Sequence, residues 1–487
     1  MNNSNSSNAL LLSAMRCISV LINMFSSVVL ARALSLEEYG TYAAGNLIIA
    51  VCTNATLMGM MDAVNYFFHQ TKYDREESIN TIFFLQLVFG VIAALVILIG
   101  QQGFTAYFHN PLLQGIYGYI AFRPLLGNLY AMLMTLQISI GETRTVAIRK
   151  AIMAFIRLVA VLITSYVTRD IRTIFVAYLL FDIVTVAYFL YTFRRAAFRI
   201  RPIKYQRSLI RPILGFAVPM GIYTLTNTLS RDIDKLVIGR FLGAESLAIY
   251  TNCATALPFD LITSAFLTII IPIMTHLIQN NKMRQAQQML KAYLSVGILS
   301  TLVFTFACMI LSEEMILLLY GHKYLNGKTV FMLYTLVDMV KFANISLVLS
   351  AKGETRTLMV ISIIMLGLNA VLNLILYAAV GFLGPAIATV LVTLVSTCLL
   401  LGISARILGC KFIRLFDLRL TGKVLFVVAL MGAISVVFRH LLSNMGIHYF
   451  LRLVVVGIFF CGSVALLNKN EILETFRRLN SERLGGD

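Results

Sequence analysis

The segment ARALSLEEYGTY at residues 31–42 recurs in altered form as GRFLGAESLAIY at residues 239–250, a separation of 208 residues. The pentapeptide GETRT also occurs twice, at 141–145 and 353–357, with a separation of 212 residues. Two independent matches at nearly one offset indicate that the chain contains two copies of one unit. Four residue pairs are identical in the first match: Arg32 and Arg240, Leu34 and Leu242, Glu37 and Glu245, and Tyr42 and Tyr250.

Apolar residues dominate the chain around these repeats. Hydrophobic residues make up 59% of the 487 residues, charged residues make up 13%, and the mean hydropathy is +0.85. Soluble domains carry about 25% charged residues, so this composition excludes a soluble protein. Apolar runs of about 18 residues or more can each cross a bilayer as a helix. We predict fourteen spans, near residues 9–31, 40–68, 79–100, 114–138, 146–168, 172–193, 212–238, 245–275, 288–312, 328–350, 357–379, 382–405, 423–439 and 448–468.

The predicted fold class is an all-α polytopic membrane protein. Helix is expected because lipid offers no partner for unpaired backbone groups. Strands of a membrane barrel would alternate apolar and polar residues, whereas these runs are longer and apolar all round. The repeats fall after the same spans of two six-span blocks, so both blocks have the same orientation. Parallel repeats are a transporter architecture in which the substrate site lies between the halves.

Two basic stretches divide the chain. They predict a first six-helix lobe and a second six-helix lobe, followed by one further helix pair. The predicted parts are 1–200 (first lobe), 201–211 (basic linker), 212–405 (second lobe), 406–422 (basic linker), 423–468 (helix pair) and 469–487 (tail).

The basic residues are distributed unevenly between the predicted loops. With the N-terminus inside, 26 of the 40 Lys and Arg residues fall on inside segments, 7 fall on outside segments, and 7 lie within spans. Short loops rich in Lys and Arg stay in the cytoplasm, so we predict that both termini and both linkers face the cytoplasm. The predicted location is the cytoplasmic membrane. This placement accounts for the net charge of +18, and no nucleic-acid partner is expected.

Two stretches resemble a known family. VVLARALSLEEYGTYAAGNLI at 28–48 and PMGIYTLTNTLSRDIDKLVIGRFLGAESLAIYTNCATAL at 219–257 resemble polysaccharide-export flippases of the Wzx type. These flippases belong to the multidrug/oligosaccharidyl-lipid/polysaccharide superfamily. The resemblance implies two six-helix lobes that form a V around a central cavity. The extra helix pair is similar to that of fourteen-helix members, which include the lipid II flippases.

The same resemblance implies a function. Members flip undecaprenyl-pyrophosphate-linked sugars across the membrane by alternating access, with no cofactor. The expected partners are therefore a polyprenyl-linked glycan substrate, membrane lipids and other membrane proteins of polysaccharide assembly. No catalytic residue is expected. Seven cysteines and six histidines are dispersed without metal-ligand spacing, so no metal site is expected either.

Charged residues inside the spans are the candidate site residues. A charge at the centre of a span costs about 2.5–3.5 kcal/mol on insertion scales and by default marks a functional interior. Arginine binds phosphate through two parallel hydrogen bonds and stays charged, which suits an anionic lipid headgroup. The predicted headgroup-binding residues are Arg16, Arg123, Arg157, Arg231 and Lys341. The residues predicted for ion or proton coupling are Asp62, Asp182 and Asp260.

Other interpretations of these residues stay open. The intramembrane charges could instead form interhelical ion pairs that hold the lobes together. A drug/cation antiporter of the same superfamily would have a cavity dominated by acidic and aromatic residues, whereas basic candidates outnumber acidic ones here. A membrane-embedded glycan polymerase or ligase would carry a large external loop, and the longest predicted one, 313–328, is too short to form a domain.

Overall fold

The structure, a computed structural model, consists of helices and short connections, with no strand in the part of the chain that it describes. It describes residues 3–168, 170–194, 200–254, 270–271, 273–343 and 346–471, without the side chains of 3–14, 16, 17, 194, 223 and 355. The all-α prediction is confirmed. Two compact units divide the chain, Met1–Thr251 and Asn252–Asp487. The predicted lobe and linker boundaries stay predictions.

The first unit packs around an apolar core shared by several helices. Buried side chains of this core include Phe67, Phe83, Leu133, Phe189 and Ile213, each at most 2% exposed. The described helices of this unit are α1 (Asn3–Ala33), α2 (Leu36–Leu57), α3 (Met60–His69), α4 (Arg75–Ile99), α5 (Gln101–Phe108), α6 (Tyr117–Ile120), α7 (Arg123–Ser139), α8 (Thr143–Val167), α9 (Ile171–Arg194), α10 (Arg207–Phe241) and α11 (Gly243–Cys253).

The described part of the second unit includes two large apolar cores and a smaller apolar cluster around Leu349. One includes Tyr293 and Leu401, and the other includes Val428 and Phe460. Its described helices are α12 (Met283–Ile310), α13 (Ser312–Leu319), α14 (Lys328–Lys341), α15 (Leu347–Lys352), α16 (Thr355–Val380), α17 (Gly384–Ile407), α18 (Leu418–Asn444) and α19 (Tyr449–Leu467).

Both copies of GETRT form the turn between two helices. Gly141 follows the end of α7 and Gly353 follows the end of α15, with φ angles of +99° and +82°. Glycine adopts this left-handed conformation without the steric penalty of a Cβ atom. In each copy the next helix begins within two residues of the glycine, at Thr143 and at Thr355. The repeat therefore has the same local structure in both units.

The predicted span at 40–68 is interrupted, which corrects the expectation of one continuous helix. Met58 and Gly59 have left-handed φ angles of 38° and 71°, so α2 ends before them and α3 begins after them. An interruption leaves carbonyl groups of the last turn without helical partners. The side chain of Gln86 donates to the carbonyl of Thr56 at 3.3 Å, and thereby compensates one of them. Neighbouring helices thus stabilise a break that the apolar pattern does not reveal.

The described part contains eight helical segments that are long and apolar enough to cross a membrane, and Ile18–Ala33 is a shorter apolar helix. One of these segments, Arg356–Ile407, contains two predicted spans. The predicted span at 328–350 corresponds to α14 and α15 with a break between them. The chain is a multi-pass membrane protein, and the count of fourteen spans stays a prediction.

Candidate functional site

Arg123 occupies a buried position at the start of α7. Pro124 follows it, and proline is favoured in the first turn of a helix because its missing N–H would have no helical acceptor there. The side chain of Arg123 is 9% exposed, and its Nε donates to Oδ2 of Asp182 on α9 at 3.0 Å. A buried arginine and a carboxylate from separate helices therefore form an ion pair.

Tyr178 brings a second arginine to the same place. The guanidinium of Arg123 lies 4.9 Å from the centre of the Tyr178 ring, and that of Arg157 on α8 lies 4.4 Å from it. Both distances are within the range of cation–π attraction, which is stronger where water is excluded. Tyr178 and Asp182 are four residues apart on α9 and hence on one helix face. One face of α9 thus holds two arginines from two other helices.

Arg123, Arg157 and Asp182 border a cavity of about 260 Å³ in the first unit. Among the described residues, three basic side chains line it, from Arg123, Lys150 and Arg157, against one carboxylate, that of Asp182. Its other polar lining groups include the side chains of Ser19, Asn23, Thr53 and Thr185.

One donor of the Arg123 guanidinium is without a partner in the described part of the chain. The Nη1 atom of Arg123 is buried and has no hydrogen-bond partner among the described residues. A buried donor without a partner costs about 1–3 kcal/mol, and more when it is charged. An anionic oxygen in the cavity would satisfy this donor, and its charge would suit the three basic groups. The arrangement is therefore suited to an anion.

The structure brings together three of the eight predicted site residues, Arg123, Arg157 and Asp182. Arg231 lies exposed on α10, where its Nη2 is 3.5 Å from the hydroxyl of Thr228, and Asp62 lies exposed on α3. Neither lines the cavity as the described residues define it. Lys341 ends α14 in the second unit.

Two predicted residues fall on parts that the structure does not describe, namely the side chain of Arg16 and the whole of Asp260. The roles predicted for all eight residues stay predictions.

Sequence reasoning missed two residues of this site, Tyr178, which contacts both arginines, and Lys150, which lines the cavity. Tyr178 carries no charge, and its spacing from Asp182 is the only signal that could have selected it. Lys150 falls within the predicted span at 146–168 but is counted there with the inside basic residues. It lies about two turns inside α8, which begins at Thr143.

Comparisons with known proteins agree with this fold. The model of a family described as "Polysaccharide biosynthesis protein" matches residues 29–328. A probable lipid II flippase MurJ of Rickettsia prowazekii (strain Madrid E) is 23% identical over 188 residues. That match covers 35% of this chain and 35% of the length of that curated relative.

Solved structures are similar along nearly the whole chain. The lipid II flippase MurJ in an inward closed conformation matches with a TM-score of 0.71 and 14% identity, over 95% of this chain and 100% of that one. An outward-facing multidrug resistance MATE family transporter of the MOP superfamily matches with a TM-score of 0.57 and 13% identity, over 82% and 95%. At these identities the likeness establishes the fold.

Proposed function

This chain belongs to the family described as polysaccharide biosynthesis protein, and from that premise we propose that it flips an anionic polyprenyl-pyrophosphate-linked oligosaccharide across the cytoplasmic membrane. It is a transporter of the MOP superfamily and not an enzyme. Its substrate would be the lipid-linked precursor of a surface polysaccharide. The relatives named as lipid II flippases support a lipid-linked substrate.

The cavity that contains Arg123 and Arg157 is the observation that carries this proposal. An isolated ion transferred from water to hydrocarbon meets a penalty of about tens of kcal/mol. Two guanidinium groups within 5 Å of one ring would offset this penalty, since each can donate two parallel hydrogen bonds to phosphate oxygens. The polyprenyl chain would stay in the bilayer while the pyrophosphate binds in the cavity.

Asp182 fits this scheme as the residue that holds Arg123 in position. Its carboxylate accepts from Nε of Arg123, and Nη1 has no hydrogen-bond partner in the described part of the chain. A bound phosphate would therefore add to the ion pair without having to break it. A role of Asp182 in proton or ion coupling is a separate proposal.

The cavity supports the flippase over the drug/cation antiporter of the same superfamily. A cation-binding cavity needs acidic groups in excess, whereas the described lining of this one has three basic side chains and one acidic side chain. The proposed orientation follows from the bias of 26 to 7 basic residues, with both termini in the cytoplasm. Alternating access between the two repeats would carry the bound headgroup from one side to the other.

Variants of the two arginines test the proposal in the producing cell. We expect Arg123→Lys or Arg157→Lys to reduce surface polysaccharide partly, because lysine keeps the charge and loses the bidentate geometry. Arg123→Ala or Arg157→Ala should abolish export while the protein stays in the membrane. Arg144→Ala is the matched control, because Arg144 is exposed on α8 outside the cavity lining. Normal export by both alanine variants at wild-type protein level would overturn the proposal.

A further inference from the structure

A second cavity of about 520 Å³ lies in the first unit, between α4, α7 and α9. Its volume is within the range of about 300–1,000 Å³ that is usual for small-molecule sites. Among the described residues, its lining shares no member with that of the cavity at Arg123. The side chains of the described lining are apolar apart from one guanidinium, and include those of Phe83, Leu133, Val186, Phe193 and Arg201.

The segment 200–206 forms one wall of this second cavity, and hydrogen bonds and stacking fix it to α4. The backbone N–H of Arg201 donates to the side-chain oxygen of Asn80 at 2.6 Å, and Asn80 is 2% exposed. The rings of Phe84 and Tyr205 stack with their centres 3.9 Å apart. The wall is thus a defined part of the fold, and it holds Arg201 at the cavity.

The same segment has the pattern of a membrane–water interface. Ile203 is 93% exposed and lies directly before Lys204, so an apolar side chain and a cation are presented side by side. Exposed apolar residues next to basic residues are typical of chains that lie at the level of lipid headgroups. Leu190 lines the cavity and is still 40% exposed. The cavity is therefore accessible from the lipid-facing surface of the helices.

The charges near the cavity select an anionic occupant. Arg201, Lys204 and Arg207 are all exposed, and residues 200–211 contain no Asp or Glu. Basic pockets between transmembrane helices bind the headgroups of anionic lipids. An apolar cavity beside such a cluster is complementary to a molecule with an acyl chain and a negatively charged headgroup.

We propose that this cavity binds an anionic glycerophospholipid of the surrounding membrane. One acyl chain fills the space between α4, α7 and α9, and the phosphate binds beside Arg201. The bound lipid supports the wall formed by 200–206 and leaves the transport cavity open to its own substrate.

The chain contains no tryptophan, so an introduced one is a specific reporter. Phe193→Trp places an indole in the second cavity by a conservative aromatic exchange. Phe426→Trp is the matched control, because Phe426 is 68% exposed on α18 and would meet bulk lipid. The full chain is reconstituted in phosphatidylcholine vesicles that contain increasing fractions of phosphatidylglycerol with brominated acyl chains, which quench nearby tryptophan.

We expect half-maximal quenching of Phe193→Trp at a mole fraction about tenfold lower than that of Phe426→Trp. This difference in half-maximal quenching between the two reporters should disappear when Arg201→Gln and Lys204→Gln are combined with each reporter. Equal quenching of the two reporters would overturn the proposal. Quenching of Phe193→Trp by brominated phosphatidylcholine at equally low mole fractions would also overturn it. Displacement of the brominated lipid by polyprenyl diphosphate would overturn it too, because the cavity would then belong to the transport substrate.

The unsubstituted chain gives a second measurement that does not depend on the folding of Phe193→Trp. Native mass spectrometry of the protein, taken from an equal mixture of phosphatidylglycerol and phosphatidylcholine, should retain phosphatidylglycerol preferentially. Arg201→Gln with Lys204→Gln should remove that preference. Equal retention of the two lipids by the unsubstituted chain would contradict the proposal.

Discussion

The ring of Tyr178 organises the cavity at the scale of single residues. It contacts the guanidinium groups of Arg123 and Arg157, and its hydroxyl lies 3.4 Å from that of Tyr42 on α2. Two arginines close together would repel each other if nothing lay between them. The negative face of an aromatic ring that contacts both cations offsets part of this repulsion. The contacts hold both guanidiniums close enough together for one pyrophosphate to bind them.

Substitutions of Tyr178 should distinguish the contribution of its aromatic ring to transport from that of its hydroxyl group. Tyr178→Phe keeps the aromatic face, so we expect transport within a fewfold of wild type. Tyr178→Leu removes the face and should lose about 0.5–2 kcal/mol of stabilisation of the guanidiniums, with transport reduced up to about thirtyfold. Measured export by the two variants at equal protein level checks this. Equal effects of Phe and Leu would mean that the hydroxyl, and not the ring, is required.

A buried carboxylate connects the last helix pair, α18 and α19, to the rest of the second unit. Glu314 on α13 is fully buried and accepts from Nε of Arg439 on α18 at 2.8 and 2.9 Å, and Nε of Arg452 on α19 lies 3.6 Å away. Glu313, the neighbouring residue, is 35% exposed and pairs with Arg439 at 2.7 Å. Two adjacent glutamates, one fully buried and one partly exposed, thus contact the same arginine.

These two glutamates provide a matched pair of variants. Glu314→Gln should destabilise the protein by about 3–5 kcal/mol, because it takes the counter-charge from the largely buried Arg452 and one of two carboxylates from Arg439. Glu313→Gln should lower stability by about 1 kcal/mol or less, as is usual for a partly exposed pair. Thermal unfolding followed with a thiol-reactive dye, which reaches the buried Cys253 and Cys308 only on unfolding, compares them. Equal losses of stability would contradict the assigned burial.

At the scale of helices, the break between α2 and α3 packs closely against α10. A Cβ added at Gly221 would lie 2.4 Å from Cα of Met58, and one added at Gly59 would lie 2.3 Å from the carbonyl oxygen of Ala217. The backbones of the two elements therefore approach as closely as glycine allows. Pro219 lies two residues before Gly221 and removes one helical hydrogen bond from α10 at the same level.

Two glycines of α10 should respond oppositely to the same substitution. Gly221→Ala forces α10 away from the break, and we expect it to destabilise the first unit and to impair transport. Gly215→Ala meets nothing within 4 Å, so it should be neutral or stabilising by up to about 1 kcal/mol through helix propensity. Unfolding temperature and export of both variants are the measurements. A loss with Gly215→Ala as large as that with Gly221→Ala would contradict the close contact.

The sequence predicted the helices better than their interruptions, for a physical reason. The length of an apolar run determines whether it can cross a bilayer, so helices such as α4 and α18 lie close to their predicted spans. The break at Met58–Gly59 depends on Gln86 from another helix, and no local pattern contains that contact. Arg123 and Arg157 were selected because a charge in an apolar run is conspicuous. Their shared ring at Tyr178 required knowledge of which helices are neighbours.

At the scale of the whole molecule, the repeats predict that each half of the chain has the same sense across the membrane. The matches at separations of 208 and 212 residues, with six predicted spans in each block, predict an even number of spans between the copies. With the bias in basic residues, this predicts that the basic segment 194–211 and both termini lie on the cytoplasmic side.

Cysteine labelling should confirm that placement. Asn280→Cys is expected to react with a membrane-impermeant reagent only from the cytoplasmic side, and Asn326→Cys only from the opposite side. Both positions are exposed, so access is not limited by burial. The native cysteines are first replaced by serine or alanine. Labelling of Asn326→Cys only from the cytoplasm would invert the orientation.

The central claim is that the arginines at Tyr178 carry an anionic headgroup across the membrane. The most direct measurement is the rate at which purified protein in liposomes moves a fluorescent polyprenyl-diphosphate oligosaccharide between leaflets. We predict that the wild-type chain moves this lipid chemically unchanged, and that Arg123→Ala with Arg157→Ala slows it by about 100-fold or more, as the loss of two charge-assisted contacts implies. Flipping by the double variant at the wild-type rate, or a cleaved product lipid, would contradict the account.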